Sequence, residues 1–105
     1  MDKALRYLSL AAKAGFLKVG AEDCAKSLKK GQLLLLAADA SANTVRQAED
    51  MAQKRKAALV RTIYTKQEIA HTIGRSNPVA VTMIGDQGLA EAFAKAAVRT
   101  EEQEE

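Results

Sequence analysis

Two short segments of this 105-residue chain carry the residue types that can do chemistry. The first is Val19-Gly20-Ala21-Glu22-Asp23-Cys24-Ala25-Lys26. A glycine there closes a short extended piece and opens an amphipathic helix, so backbone N–H groups, two carboxylates, a thiol and a lysine share one helix start. The second is Gly74-Arg75-Ser76-Asn77-Pro78, a polar loop just ahead of an apolar run. A Cys24–His71 pair would supply a nucleophile and a base. Cys24, however, repeats at helical spacing with Ala21, Ala25 and Leu28, on an apolar face where a cysteine acts as a small hydrophobe. His71 lies on a short polar stretch and reads as a surface residue. The carboxylates of Asp39, Glu68 and Asp86 could cluster at strand ends, but Asp39 and Asp86 each precede a helix and read more simply as caps. One histidine and one cysteine are too few for a zinc site. There is no Gly-x-Gly-x-x-Gly and no P-loop lysine. The expectation is a chain without catalytic residues, metal, cofactor or small-molecule substrate, whose polar segments bind another molecule.

The elements that must position these segments follow from periodicity and caps. Residues 3–14 repeat Ala4, Leu5, Leu8, Ala11 and Ala12 at helical spacing and stop at Gly15. Phe16 to Val19 alternates as a short extended piece. A second helix is expected from Ala21 to Lys30, ended by Gly31. Leu33 to Ala38 has no polar face and reads as a strand covered on both sides. Asp39 and Ser41 offer caps for a third helix over 42–57. A strand follows from Leu59 to Tyr64. Thr65-Lys66-Gln67-Glu68 matches a capping box and opens a short helix that stops at Gly74. Val79 to Ile84 is another apolar strand, and residues 86–98 form a last helix with Leu89, Ala90, Phe93, Ala94 and Ala97 on one face. Alternating strands and helices define an α/β domain. Apolar strands need cover on both faces, so the expected architecture is a three-layer α/β/α sandwich of about four strands. One such domain spans residues 1–99, with 100–105 as an acidic, frayed tail.

Composition limits the partners. Aromatics are only Tyr7, Phe16, Tyr64 and Phe93, which argues against a platform of stacked aromatic rings. Residues 1–100 hold 16 basic and 9 acidic side chains, a net of +7, which the four terminal glutamates reduce to +3. A basic body suits a polyanion. Cys24 is the only cysteine, so no internal disulfide forms and a reducing compartment is expected. No signal-peptide pattern or membrane-length apolar run is present. The expected location is the cytoplasm.

The charges of the second helix admit two readings. Glu22 and Asp23 in the first turn complement the helix dipole, and Glu22 stands four residues before Lys26 in the favourable order. The same atoms also suit recognition of RNA. Carboxylates repel phosphate, so this is a poor simple phosphate site. They do accept hydrogen bonds from base amino and imino groups, while Lys18 and Lys26 would hold phosphates and Gly20 would let the backbone approach. Side chains cannot enter the deep groove of regular A-form RNA, so a distorted segment would be the target.

The ordered set Gly20-Ala21-Glu22-Asp23-Cys24-Ala25-Lys26, Leu34-Leu35-Leu36-Ala37-Ala38-Asp39-Ala40, Thr65-Lys66-Gln67-Glu68-Ile69 and Gly74-Arg75-Ser76-Asn77-Pro78-Val79 resembles the kink-turn-binding ribosomal-protein superfamily. That superfamily includes archaeal and eukaryotic large-subunit proteins and a box C/D ribonucleoprotein component. Within it the chain is most similar to the small bacterial YlxQ-like branch. The resemblance covers residues from about 4 to 98 and implies a mixed four-stranded sheet. It also implies a kink-turn RNA partner, such as ribosomal RNA, or the ribosome. The start of the second helix, with Gly20, Ala21, Glu22, Asp23 and Lys26, would enter the groove at tandem sheared G·A pairs, with Lys66 a further basic contact beside the phosphate contact read above for Lys18. Arg75, Ser76, Asn77, Pro78 and Val79 would pack over the bulged nucleotides. Glu22 stands where the family typically has an amide, and Asp23 where it has the longer glutamate. A protein-interaction module of the same fold that has lost kink-turn recognition is the alternative reading.

Overall fold

The computed structural model describes residues 2–104, and the side chains of residues 2–97. Five helices and four strands alternate as α1 (Lys3–Lys13), β1 (Leu17–Val19), α2 (Ala21–Ser27), β2 (Leu33–Leu36), α3 (Ala42–Arg55), β3 (Ala58–Arg61), α4 (Lys66–Thr72), β4 (Val81–Ile84) and α5 (Gln87–Glu104). The strands form one mixed sheet in the order β1-β4-β2-β3. β4 runs antiparallel to both β1 and β2, and β2 runs parallel to β3.

The leucine run of β2 is buried at every position, as a central strand covered on both faces must be. Successive side chains alternate across it. Leu33 and Leu35 join a core with Ala4, Leu8, Ile69 and Phe93, under α1, α4 and α5. Leu34 and Leu36 join a second core with Cys24, Leu28, Ala48 and Ala52, under α2 and α3. Helices therefore cover both faces, and the α/β/α sandwich expected from the strand pattern is the fold.

Side-chain caps set most helix starts. Asp2 Oδ1 accepts from the Ala4 amide, Ser41 Oγ from Thr44, and Asp86 Oδ2 from Leu89. Thr65 and Glu68 form the reciprocal capping box at α4. Asp39 caps across the fold instead of locally: its Oδ1 accepts from the Lys66 amide at 2.8 Å, at the start of α4.

β2, α3 and β4 are each two residues shorter than the sequence reading, and three other boundaries differ from it by three residues or more. α2 ends at Ser27, because Gln32 Oε1 takes the Lys29 amide at 2.8 Å, the donor a longer helix would direct to Ala25. β3 ends at Arg61, where the Thr62 hydroxyl donates to the Leu36 carbonyl at 2.8 Å and turns the chain. α5 extends to Glu104, beyond the expected end at residue 98, since residues 99–104 contain no glycine or proline to stop it and are rich in good helix formers. Among the described residues no helix is long and apolar enough to cross a membrane.

Candidate nucleic-acid interface

The strand directions bring the sequence-distant polar segments to one end of the sheet. β1, β2 and β3 finish there and β4 begins there. The loops at this end lead into α2, α3, α4 and β4. The Gly20 amide donates to the Val81 carbonyl at 2.8 Å, which ties the start of α2 to the strand that follows the proline loop. Arg75 of that loop lines a small cleft with Leu17 and Val19 of β1. The Val79 amide donates to the Lys66 carbonyl at 3.1 Å, and Asp39 holds the Lys66 amide. The β1–α2 corner, the start of α4 and the α4–β4 loop are thus hydrogen-bonded into one unit.

Gly20 makes the corner possible. Its φ of +91° and ψ of 150° lie where L side chains are strained. No side chain caps α2. The amides of Ala21, Glu22 and Asp23 therefore have no intrahelical acceptor. Glu22, Asp23, Arg75, Ser76, Asn77 and Pro78 are exposed. Glu22 and Lys26 form no ion pair with one another, so their four-residue spacing does not consume either charge. Val79 is buried at 4 % exposure, so its side chain anchors the loop and only its backbone can meet a partner.

Lys18 and Lys26 occupy a different place from the rest. They line a groove with Lys29 where β1 begins and α2 ends, toward the opposite end of the sheet. α2, seven residues and roughly 10 Å long, joins the two places. The exposed Ile63, in the β3–α4 loop, lies at the same sheet end as Gly20 and Arg75 and carries no local sequence signal.

The fold does not bring Cys24 to His71, nor Asp86 to Asp39 and Glu68. Cys24 is fully buried under α2 and His71 sits on α4, with the sheet between them. Burial, with Asp23 adding to it, pushes the Cys24 thiol up to about 12. Asp39, Glu68 and Asp86 each hold a backbone amide, and Asp86 lies at the other end of the sheet from Asp39. Among the described residues no cluster of histidine, cysteine and carboxylates could hold a metal ion. Cys24 should resist iodoacetamide in the native protein and react fully in denaturant, as mass spectrometry would record. The raised thiol also predicts a pH effect. The unfolded thiol ionises near 8.5 while the folded one stays protonated, so stability is complete below the unfolded value and declines between about pH 9 and 12.

The molecule is a small mixed α/β/α sandwich with its polar loops gathered at one sheet end. The chain belongs to the ribosomal protein L7Ae/L30e/S12e/Gadd45 family, whose model matches residues 2–94. The fold is similar to that of a protein with unknown function from Bacillus halodurans, at a TM-score of 0.79 and 24% identity, covering 93% of this chain and 99% of that one. It is also similar to a 15.5kD RNA binding protein from Giardia lamblia, at a TM-score of 0.65 and 20% identity, covering 94% of this chain and 85% of that one. A search of curated proteins gave no match.

Proposed function

We propose that this chain is a non-enzymatic RNA-binding protein that recognises and stabilises kink-turn or similarly bent RNA, in association with the ribosome. Family membership supports the reading, as does the RNA binding named for the Giardia protein of similar fold. The observation that carries it is the hydrogen-bonded junction of the α2 start with the beginning of β4, the strand that follows the proline loop, through Gly20 and Val81.

In this reading the free amides and carboxylates of Ala21, Glu22 and Asp23 face guanine edges in a widened groove. Lys26 and Lys66 take backbone phosphates, and Arg75 to Pro78 cover the unstacked nucleotides. The protein acts by binding the bent form better than the extended one, and the difference in affinity sets the shift between them. Both carboxylates can only accept hydrogen bonds, so they select base N–H donors and repel any phosphate that comes near.

The test is the affinity of the full chain for a kink-turn RNA against a straight duplex of equal length. Wild type should prefer the kink-turn. Asp23→Ala should weaken that binding about tenfold or more, as loss of a charged hydrogen-bond partner does. Lys26→Ala should also weaken it and lower the slope against log salt by about 1. Lys54→Ala, on the C-terminal part of α3, should change little. Glu22→Asn, which restores a donor and removes a charge, should strengthen it. Equal affinity for the two RNAs would reject recognition of the bend. The exposed Glu22 favours one further reading, a protein-interaction module. Absence of affinity for either RNA, with partners retained after nuclease treatment, would favour that reading.

A further inference from the structure

The groove that holds Lys18 and Lys26 is more than an extension of the α2 start. It has a volume of about 400 Å³ and is bounded by Phe16, Lys18, Lys26, Lys29 and Gln32, over Met83. Strand alternation explains the assembly. Leu17 and Val19 of β1 turn toward the core beneath α1 and α5, so Phe16 and Lys18 point to the other face, beside α2. β1 is an edge strand, so nothing in the sheet covers that side. The Phe16 ring is 43% exposed, whereas Tyr64 and Phe93 are buried against each other. Its backbone carbonyl accepts from the Gly85 amide at 2.6 Å, which fixes the ring's base on the sheet. Three lysines and no carboxylate line the groove, in contrast to the mixed charge around Glu22, Asp23 and Lys66.

A flat aromatic face beside an unopposed cluster of ammonium groups is complementary to an unpaired nucleotide, whose base stacks and whose phosphates pair with the lysines. We propose that this groove takes a single-stranded RNA stretch continuous with the bent element, one base laid on Phe16 and its phosphates against Lys18, Lys26 and Lys29. The inference rests on the RNA-binding reading above and adds a second contact to it, at the far end of α2. Phe16 is one ring and not a platform of several, so the groove holds one base and reads no long sequence.

The experiment compares four probes on the full chain by fluorescence anisotropy at fixed salt: a blunt kink-turn RNA, the same RNA with four unpaired uridines on one strand end or on the other, and tetrauridylate alone. One of the two extensions should raise wild-type affinity about tenfold over the blunt RNA. Phe16→Ala and Lys29→Ala should each abolish that gain and leave blunt-RNA binding unchanged, while Phe16→Tyr should keep it. Lys29 is exposed, so its removal tests the groove without disturbing the fold. No gain from either extension, or a gain that survives Phe16→Ala, overturns the proposal. Failure of the blunt kink-turn to outbind a straight duplex would count against the bent-RNA reading alone. In that case Phe16-dependent binding of tetrauridylate upholds the groove, and its absence overturns it.

Discussion

Gly20→Val should abolish the preference for bent RNA while leaving a folded protein. A Cβ at Gly20 would meet nothing within 4 Å, so steric crowding is not the cause. The cause is the backbone: φ of +91° with ψ of 150° is essentially a glycine conformation, and a β-branched residue held there costs roughly 1–3 kcal/mol. The chain can relax only by rotating the corner between β1 and α2. That rotation breaks the Gly20–Val81 hydrogen bond and shifts the start of α2, with Glu22 and Asp23, relative to β4. A recognition surface shifted by even an ångström loses its hydrogen-bond geometry, so the affinity for kink-turn RNA should fall by well over tenfold. Gly31→Val is the matched control. Gly31 also has a positive φ, +82°, but sits in the α2–β2 turn, away from that corner. It should lower the melting temperature by a similar few degrees and leave the RNA preference intact. Equal loss of binding in both variants would show that strain anywhere in the fold, and not the corner, limits recognition.

Phe93→Ala should have the largest effect on stability. Phe93 of α5 is completely buried and meets the Tyr64 ring edge-on, at 6.5 Å between centroids and 62° between planes. The Tyr64 hydroxyl donates to Asp2 Oδ1 at 2.7 Å, the same oxygen that caps α1. The Phe93 ring thus supports α5, the β3–α4 loop and the start of α1 together. Truncating a buried phenylalanine costs about 3–5 kcal/mol, a large part of the roughly 5–15 kcal/mol that holds a domain folded. The melting temperature should drop by at least about 12 °C. Phe93→Leu, which keeps most of the volume, should cost less than about 1.5 kcal/mol. Urea titration of the three proteins would measure both. Phe93 is buried in the core and does not line the Arg75 cleft, so the fraction of Phe93→Ala that remains folded in the cold should still prefer bent RNA. A small effect on the midpoint would mean that the core beneath α5 closes over the lost ring.

Much of this molecule follows from short-range pattern. The Thr65–Glu68 capping box, the Ser41 cap, the buried leucine strand and the alternation of strand with helix are all present. Each rests on contacts within a few residues or on a period of 2 or 3.6, which a sequence displays directly. Cys24 as a core residue was legible on the same ground. The early end of α2 was not, because it depends on Gln32 folding back onto the Lys29 amide from beyond the turn. Asp39 was legible as a cap, but its partner at Lys66 lies 27 residues away. Phe16 reads in sequence as an ordinary strand residue; only the edge position of β1 leaves its ring uncovered.

Residue types and local spacing were enough to specify an α/β sandwich and its two polar segments. Long-range strand pairing settled which loops share an end, because a strand's hydrogen-bonding edge accepts a neighbour in either direction. With β4 antiparallel to β1 and β2, Gly20 meets Val81, and Lys18, Lys26 and Lys29 gather with Phe16 in a separate groove.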